Sequence, residues 1–214
     1  MTSHSLSLRA NWQDGANAAG AKLEVIVFDT IVAHLEATYP GEYKVTPHPS
    51  DFDQLYLEMA RHRGDESFAK PAEPKNGDIW FDDDANTFLK LENGRPKRAK
   101  QGCEPDIGIT HIATGRKYFI ECKQQNDAGN AHERAAKWAT PSIIAAVQRK
   151  IGATYHPLGY LFSGPMVMNP KYIREIKGTF DFAKDHLLLW TPDRPVEALS
   201  EWVDRAVIPV LTSS

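Results

Sequence analysis

Apolar side chains recur along this chain with two periods, and segments of one alternate with segments of the other. Between Gly20 and Ala37, Leu23, Val27, Ile31 and Leu35 fall on every fourth residue, with Ile26 and Phe28 widening the stripe. That is one face of a helix, and Tyr39-Pro40-Gly41 is the chemistry that ends it. A second helix is expected from Asp51 to about Arg61, with Ser50 as its cap and Phe52, Leu55, Leu57 and Met59 as its apolar surface. Residues 62–104 are polar and rich in Gly, Pro and charge. Ile79-Trp80-Phe81 and Thr87-Phe88-Leu89 read there as short strands around Asp82-Asp83-Asp84. Those aspartates read as a solvated turn rather than a cation site, because nothing beside them makes the carboxylates converge.

The period then drops to two. Asp106-Ile107-Gly108-Ile109-Thr110-His111-Ile112 and Lys117-Tyr118-Phe119-Ile120-Glu121-Cys122-Lys123 are strand-like runs, joined by the turn residues Ala113-Thr114-Gly115-Arg116. Ile107 and Ile109 share a face, and Ile112 breaks the alternation near the turn. Beyond the hairpin a helix is expected from near Asn130 to Ala139. Thr140 and Pro141 then cap and start another, which ends at Gly152. Leu158 to Phe162 is a strand, Asn169-Pro170 opens a short helix through Ile176, and Leu187 to Trp190 is a strand. Pro195 to about Val207 is a helix with Leu199, Trp202, Val203 and Ala206 inward. Helix, hairpin, helices, strand, helix, strand, helix is the order of an α/β sandwich with a mixed sheet. The 214 residues suffice for one domain, 1–214, with a full core.

Composition excludes more than it selects. No apolar run approaches a membrane span, and residues 1–5 lack a basic region followed by an apolar one, so neither a membrane anchor nor a signal peptide is read. Two cysteines, Cys103 and Cys122, have no metal-type spacing and no base partner in sequence, which fits a reducing, cytoplasmic setting. The formal net charge of −3 argues against a non-specific coater of nucleic acid. It leaves room for a DNA enzyme with a local basic surface, and Arg95 to Lys100, just upstream of Asp106, is the candidate segment, with Arg98 and Lys100 as phosphate contacts.

The chemistry lies in Pro105-Asp106 and Glu121-Cys122-Lys123. Pairing the hairpin strands lets Asp106 and Glu121 meet, and alternation puts Glu121 and Lys123 on one face with Cys122 on the other. Asp106 and Glu121 are hard oxygen ligands suited to Mg²⁺, with the Cys122 carbonyl as a third. Lys123 would lie against the attacking water and the scissile phosphate, lowering the water's pKa or stabilising charge on phosphate. By itself the pattern is loose, and a surface salt bridge explains it as well.

A second motif narrows the reading. Gly129-Asn130-Ala131-His132-Glu133-Arg134 follows the hairpin. Asn130 is suited to pair with adenine N6 and N7, Arg134 donates to purine N7 from the same helix side, Ala131 can touch a thymine methyl, and Gly129 permits the turn. Alone, Asn130 would be an ordinary N-cap and Arg134 a surface charge. Together the two motifs resemble those of PD-(D/E)xK type II restriction endonucleases, in the EcoRI and MunI group. The similarity is closest to the MunI-like members through Lys137, Thr140-Pro141 and Ile151-Gly152, and through Asn11-Trp12-Gln13 and Gly20-Ala21.

The resemblance implies a restriction-endonuclease-like α/β core with a five-stranded mixed sheet. It also implies a Mg²⁺-dependent homodimer that cuts double-stranded DNA at a palindrome with an AATT core. Cleavage before the core would leave 5′-phosphate ends and 5′ overhangs, and a cognate DNA methyltransferase would accompany the enzyme. Nucleases of this fold often place an auxiliary carboxylate on the first helix, here Glu24. One departure concerns the link of Gln124 to Ala128, which is shorter than in the enzymes resembled and has Ala128 where they carry arginine. The outer base pair is then read by Gln124, Gln125 or Arg98, or not at all. A repair or junction-resolving nuclease of the same fold, and a non-cleaving sequence-specific DNA-binding protein, are the alternatives; the intact Asp106, Glu121 and Lys123 weigh against the last.

Overall fold

The computed structural model describes residues 3–124, 131–191 and 193–213, with side chains from residue 20 onward except 131–132. The chain groups into two compact units, Met1–His48 with Pro105–Ser214, and Pro49–Glu104.

In the first unit, α1 (Ser3–Thr38) includes the expected stripe, and Leu23, Val27, Ile31 and Leu35 are all buried. A five-stranded sheet has the order β1-β5-β6-β7-β8, from β1 (Tyr43–Pro47), β5 (Ile107–His111), β6 (Lys117–Gln124), β7 (Leu158–Ser163) and β8 (Leu187–Leu189). The β1, β5 and β6 pairs are antiparallel, and β6, β7 and β8 run parallel, so the sheet is mixed as expected. Strand alternation divides the side chains. Ile107, Ile109, Tyr118, Ile120, Cys122 and Leu161 join the α1 stripe and Leu199, Trp202, Val203 and Val207 in one core. Tyr160 and Phe162 instead meet Phe180, at ring distances of 4.6 and 5.3 Å, and the Tyr160 hydroxyl donates to the Trp138 carbonyl.

Helix α3 (Ala131–Ala135) passes into a 3-10 turn, Ala136–Ala139. Helix α4 (Pro141–Ile151) has the expected Thr140 cap, which accepts from Ile143 N–H, and ends at Gly152. Asn169 likewise caps α5 (Pro170–Thr179). The last helix differs from expectation. It is α6 (Glu197–Trp202), a π turn at Val203–Val207, and α7 (Ile208–Thr212). Pro209 has no N–H for the Arg205 carbonyl and its ring crowds that turn, so the wider π turn relieves both. Strand β1 had no reading in sequence; five residues with a proline at the end make a weak signal.

In the second unit, β2 (Ile79–Asp82), β3 (Thr87–Glu92) and β4 (Arg95–Arg98) form an antiparallel sheet over a small core of Leu57, Ala60, Phe68 and Phe88. The acidic run is a turn, with Asp82 accepting from Ala85 N–H. The expected Asp51–Arg61 helix is two pieces, a 3-10 turn at Ser50–Phe52 and α2 (Leu55–Arg63), and Ser50 caps neither. The break occurs where Gln54 leaves helical geometry to use its buried amide elsewhere. Its Nε2 donates to the Phe88 and Ala99 carbonyls, and its Oε1 accepts from Phe88 N–H and the Thr87 hydroxyl. A buried amide with all these partners outweighs one helical hydrogen bond.

Gly159 faces Ile120 across the β6–β7 pair, and a Cβ there would lie 2.8 Å from the Tyr118 hydroxyl. The missing side chain lets Tyr118 reach His186 Nδ1 at 2.8 Å. The His186 ring lies 5.0 Å from that of His156, whose Nε2 is buried without a hydrogen-bond partner among the described residues. Burial lowers His156 to about 4, and the neighbouring His186 pushes the same way. A histidine that resists protonation when folded but accepts it near 6.5 when unfolded loses stability as pH falls through that window. The His156→Phe variant should therefore lose less stability than the parent between pH 7 and pH 4.5, by about 1–2 kcal/mol after allowing for solvent screening. Urea midpoints at the two pH values test this, and equal losses in both proteins would refute it.

Candidate active site

Four elements converge on the carboxylates. Asp106 stands one residue before β5, at the point where the β5–β6 ladder runs out. Its N–H still donates to the Ile120 carbonyl at 3.1 Å, and its Oδ2 accepts from Cys122 N–H at 2.6 Å. The side chain thus replaces the strand carbonyl that the ladder lacks, which fixes the carboxylate against β6. Alternation along β6 then places Glu121 and Lys123 together while Cys122 enters the core, as the spacing requires.

Lys123 Nζ lies 2.8 Å from Glu121 Oε1, 3.5 Å from Asp106 Oδ2 and 2.8 Å from the Cys122 carbonyl oxygen. One cation therefore touches all three predicted ligands. Burial draws the Lys123 ammonium down, but Glu121 and Asp106 outweigh it and hold its pKa above the usual lysine value. Glu121 is 5% exposed. Burial pushes its carboxyl up to about 7, with Lys123 opposing and Asp106 adding to the rise. Burial also drives the Cys122 thiol far up, so it has no nucleophilic role.

The donor set fits a divalent cation. Glu121 Oε2 is buried with no hydrogen-bond partner among the described residues. An unpaired buried carboxylate oxygen is costly unless a cation or donor meets it. Two carboxylates and a backbone carbonyl are the hard oxygen ligands that Mg²⁺ takes.

Glu24, on α1, also reaches this place. Burial and then repulsion from Asp106 raise its carboxyl, while Lys123 and His48 oppose the rise. His48 follows β1, and its N–H donates to the Asp106 carbonyl at 2.9 Å. No signal in the sequence marked His48; the one clue is its place directly after a short strand that pairs beside Asp106.

The other predicted residues are placed less fully. Arg98 and Lys100 lie in the second unit, where their side-chain nitrogens are 3.3 and 3.5 Å from Asp53 Oδ2. Both remain exposed enough for their charge to face solvent. Gln124 ends β6. Gln125, Gly129 and Asn130 lie outside the described residues. Ala131 begins α3, and Arg134 is exposed on it.

The family described as Type II restriction enzyme MunI matches residues 68–212. A type II restriction enzyme MunI from Mycoplasma sp is 26% identical over 208 residues, covering 91% of each chain. The crystal structure of MunI restriction endonuclease in complex with cognate DNA has a TM-score of 0.59 with this chain at 22% identity, covering 82% of this chain and 86% of that one. That last similarity is one of fold.

Proposed function

The chain belongs to the MunI family of type II restriction enzymes, and from that premise we propose that it cuts double-stranded DNA as a Mg²⁺-dependent homodimer at a palindrome with an AATT core. The products carry 5′-phosphates and 5′ overhangs, and a cognate methyltransferase protects the host DNA. The observation that carries the reading is the Lys123 ammonium held between Glu121 and Asp106, beside the orphan oxygen of Glu121.

Asp106, Glu121 and the Cys122 carbonyl would hold the cation. When bound, it supplies Lewis-acid stabilisation of the phosphate and lowers the pKa of the attacking water. Two carboxylates favour the Lys123 ammonium in the metal-free site, and its role is that of donor and charge partner to the scissile phosphate. Asp106 is held rigid by the Cys122 N–H. Asn130 and Arg134 read the core bases, and Arg98 and Lys100 contact phosphate. Gln124, Gln125 or Arg98 reads the outer pair, or none does. Glu24 is auxiliary to the site. Its proposed place of work is a bacterial cytoplasm; among the described residues no helix is long and apolar enough to cross a membrane.

Digestion of plasmid and phage DNA with Mg²⁺, and with EDTA instead, tests the proposal. Discrete fragments are expected with Mg²⁺ only, and sequenced ends should share AATT. Fixed bases outside AATT would show a six-base site, and varied ones a four-base site. Cutting confined to branched DNA would replace this reading with a junction-resolving nuclease, and specific binding without cutting would replace it with a binding protein.

A further inference from the structure

The β3–β4 hairpin carries more positive charge than an edge strand needs. Residues paired across an antiparallel ladder share a face, so the Lys90–Lys97 and Glu92–Arg95 pairs lie on one face of the sheet. Farther from the turn, Phe88 and Ala99 on that same face enter the small core. The turn end of the face is open, and Lys90, Arg95 and Lys97 are all exposed there. It holds these three cations and one carboxylate, on a chain whose formal net charge is −3. Glu92 Oε2 lies 2.6 Å from Lys97 Nζ and offsets one of the three. Arg98 lies on the opposite face, where it and Lys100 meet Asp53.

We propose that Lys90, Arg95 and Lys97 bind phosphates of duplex DNA outside the recognition palindrome, within about one helical turn of the cut. This rests on the reading of the chain as a nuclease for double-stranded DNA and adds a sequence-independent contact to it.

Charge on β4 alone has an ordinary cause. It is the edge strand, and lysine and proline keep an edge from pairing with another chain. Lys90 has no such cause, because it stands on β3, the central strand, directly opposite Lys97. Like charges placed so weaken a sheet. A polyanion laid across the pair removes that penalty, and its binding is driven by release of the counterions condensed on it. The support is rigid. Asn93 and Gly94 have φ of +51° and +72°, the two left-handed residues of a tight hairpin turn. Asn93 N–H donates to Asn76 Oδ1 at 2.9 Å, and Leu91 N–H donates to the Asp78 carbonyl at 3.0 Å. Reach follows from the chain itself. The nine residue steps from Lys97 to Asp106 span at most about 32 Å, about one turn of duplex.

The test is the salt dependence of binding to two duplexes centred on AATT, of about 10 and about 30 base pairs, followed by fluorescence anisotropy in EDTA. The parent should bind the longer duplex with the steeper slope of log affinity against log salt. Lys90→Ala, Arg95→Ala and Lys97→Ala together should lower that slope by about 2.7 per chain, about 0.9 for each phosphate contact, and leave the slope on the short duplex unchanged. Lys90→Glu is the second variant, and it sets opposite charges face to face. It should melt no lower than the parent yet bind the longer duplex more weakly, a split that a structural role for Lys90 does not produce. Equal slopes for parent and triple variant on the longer duplex overturn the proposal. So does an equal loss on both lengths, which places the contacts at or beside the palindrome. Failure of the parent to cut any DNA with Mg²⁺, with the length-dependent slope intact, would instead overturn the nuclease reading.

Discussion

Asp106→Asn is expected to bind DNA and to cut it at least about a thousandfold more slowly. The substitution removes a charge from the proposed cation position and the charge that helps hold the Lys123 ammonium. Loss of the charge stabilisation that a cation supplies to a phosphoryl transfer is worth several kcal/mol, and about 4 kcal/mol is a factor of about a thousand. Asparagine is chosen over alanine for a structural reason. Asp106 Oδ2 accepts from Cys122 N–H at 2.6 Å, and an amide oxygen can still do so. Alanine would leave that N–H without its acceptor, at a cost of about 1–3 kcal/mol, and would mix a folding defect into the rate. DNA affinity without added cation should be retained or improved, because the change removes a negative charge facing phosphate. Single-turnover cleavage and a binding isotherm on one duplex separate the two effects. Cleavage at the parent rate would sink the assignment of Asp106.

Gly102→Ala is expected to unfold much of the second unit, with a loss of about 3 kcal/mol or more. Here the first and last segments of the unit cross. Cys103 N–H donates to the Phe52 carbonyl at 3.0 Å, and Tyr56 N–H donates to the Gln101 carbonyl at 3.0 Å. A Cβ on Gly102 would overlap the backbone of Phe52 and Asp53. No rotamer relieves this, because the obstruction is main chain. Residues 52–54 would have to move, and Gln54 with them, which would strip partners from Phe88 and Ala99. Hydrogen exchange should show the Phe88 amide losing protection before the β5–β6 amides do. Gly178→Ala is the control, since a Cβ there meets nothing within 4 Å; its melting should be unchanged or slightly raised. Equal melting of both variants would show that the crossing carries no such constraint.

Legibility in the sequence followed the length of the pattern that carried it. The α1 stripe, the β5–β6 hairpin, the Thr140 cap and the β7 strand are each specified by neighbours within a few residues, and each stands where its pattern puts it. The Ser50 helix broke because Gln54 is claimed by carbonyls 34 and 45 positions away, which no local window contains. The basic segment Arg95–Arg98 turned out to be a strand, since pairing with β3 outweighs the poor strand preference of its proline and charges.

The same division holds at the site. Alternation along β6 dictates that Glu121 and Lys123 share a face and that Cys122 is buried, because a strand has a period of two whatever surrounds it. The spacing of Pro105-Asp106 from that strand, and the motif after it, carried the resemblance to type II restriction endonucleases, the family to which the chain belongs. The resemblance offers Glu24 as an auxiliary carboxylate, but tertiary structure alone decided that His48, from the loop after β1, arrives with it beside Asp106. It also decided that Glu121 is stripped of solvent and keeps an oxygen without a hydrogen-bond partner among the described residues. Ligand type is a property of a residue, and strand face is a property of its neighbours. Desolvation and convergence depend on every element that packs around the site, and those are set only when the chain has folded.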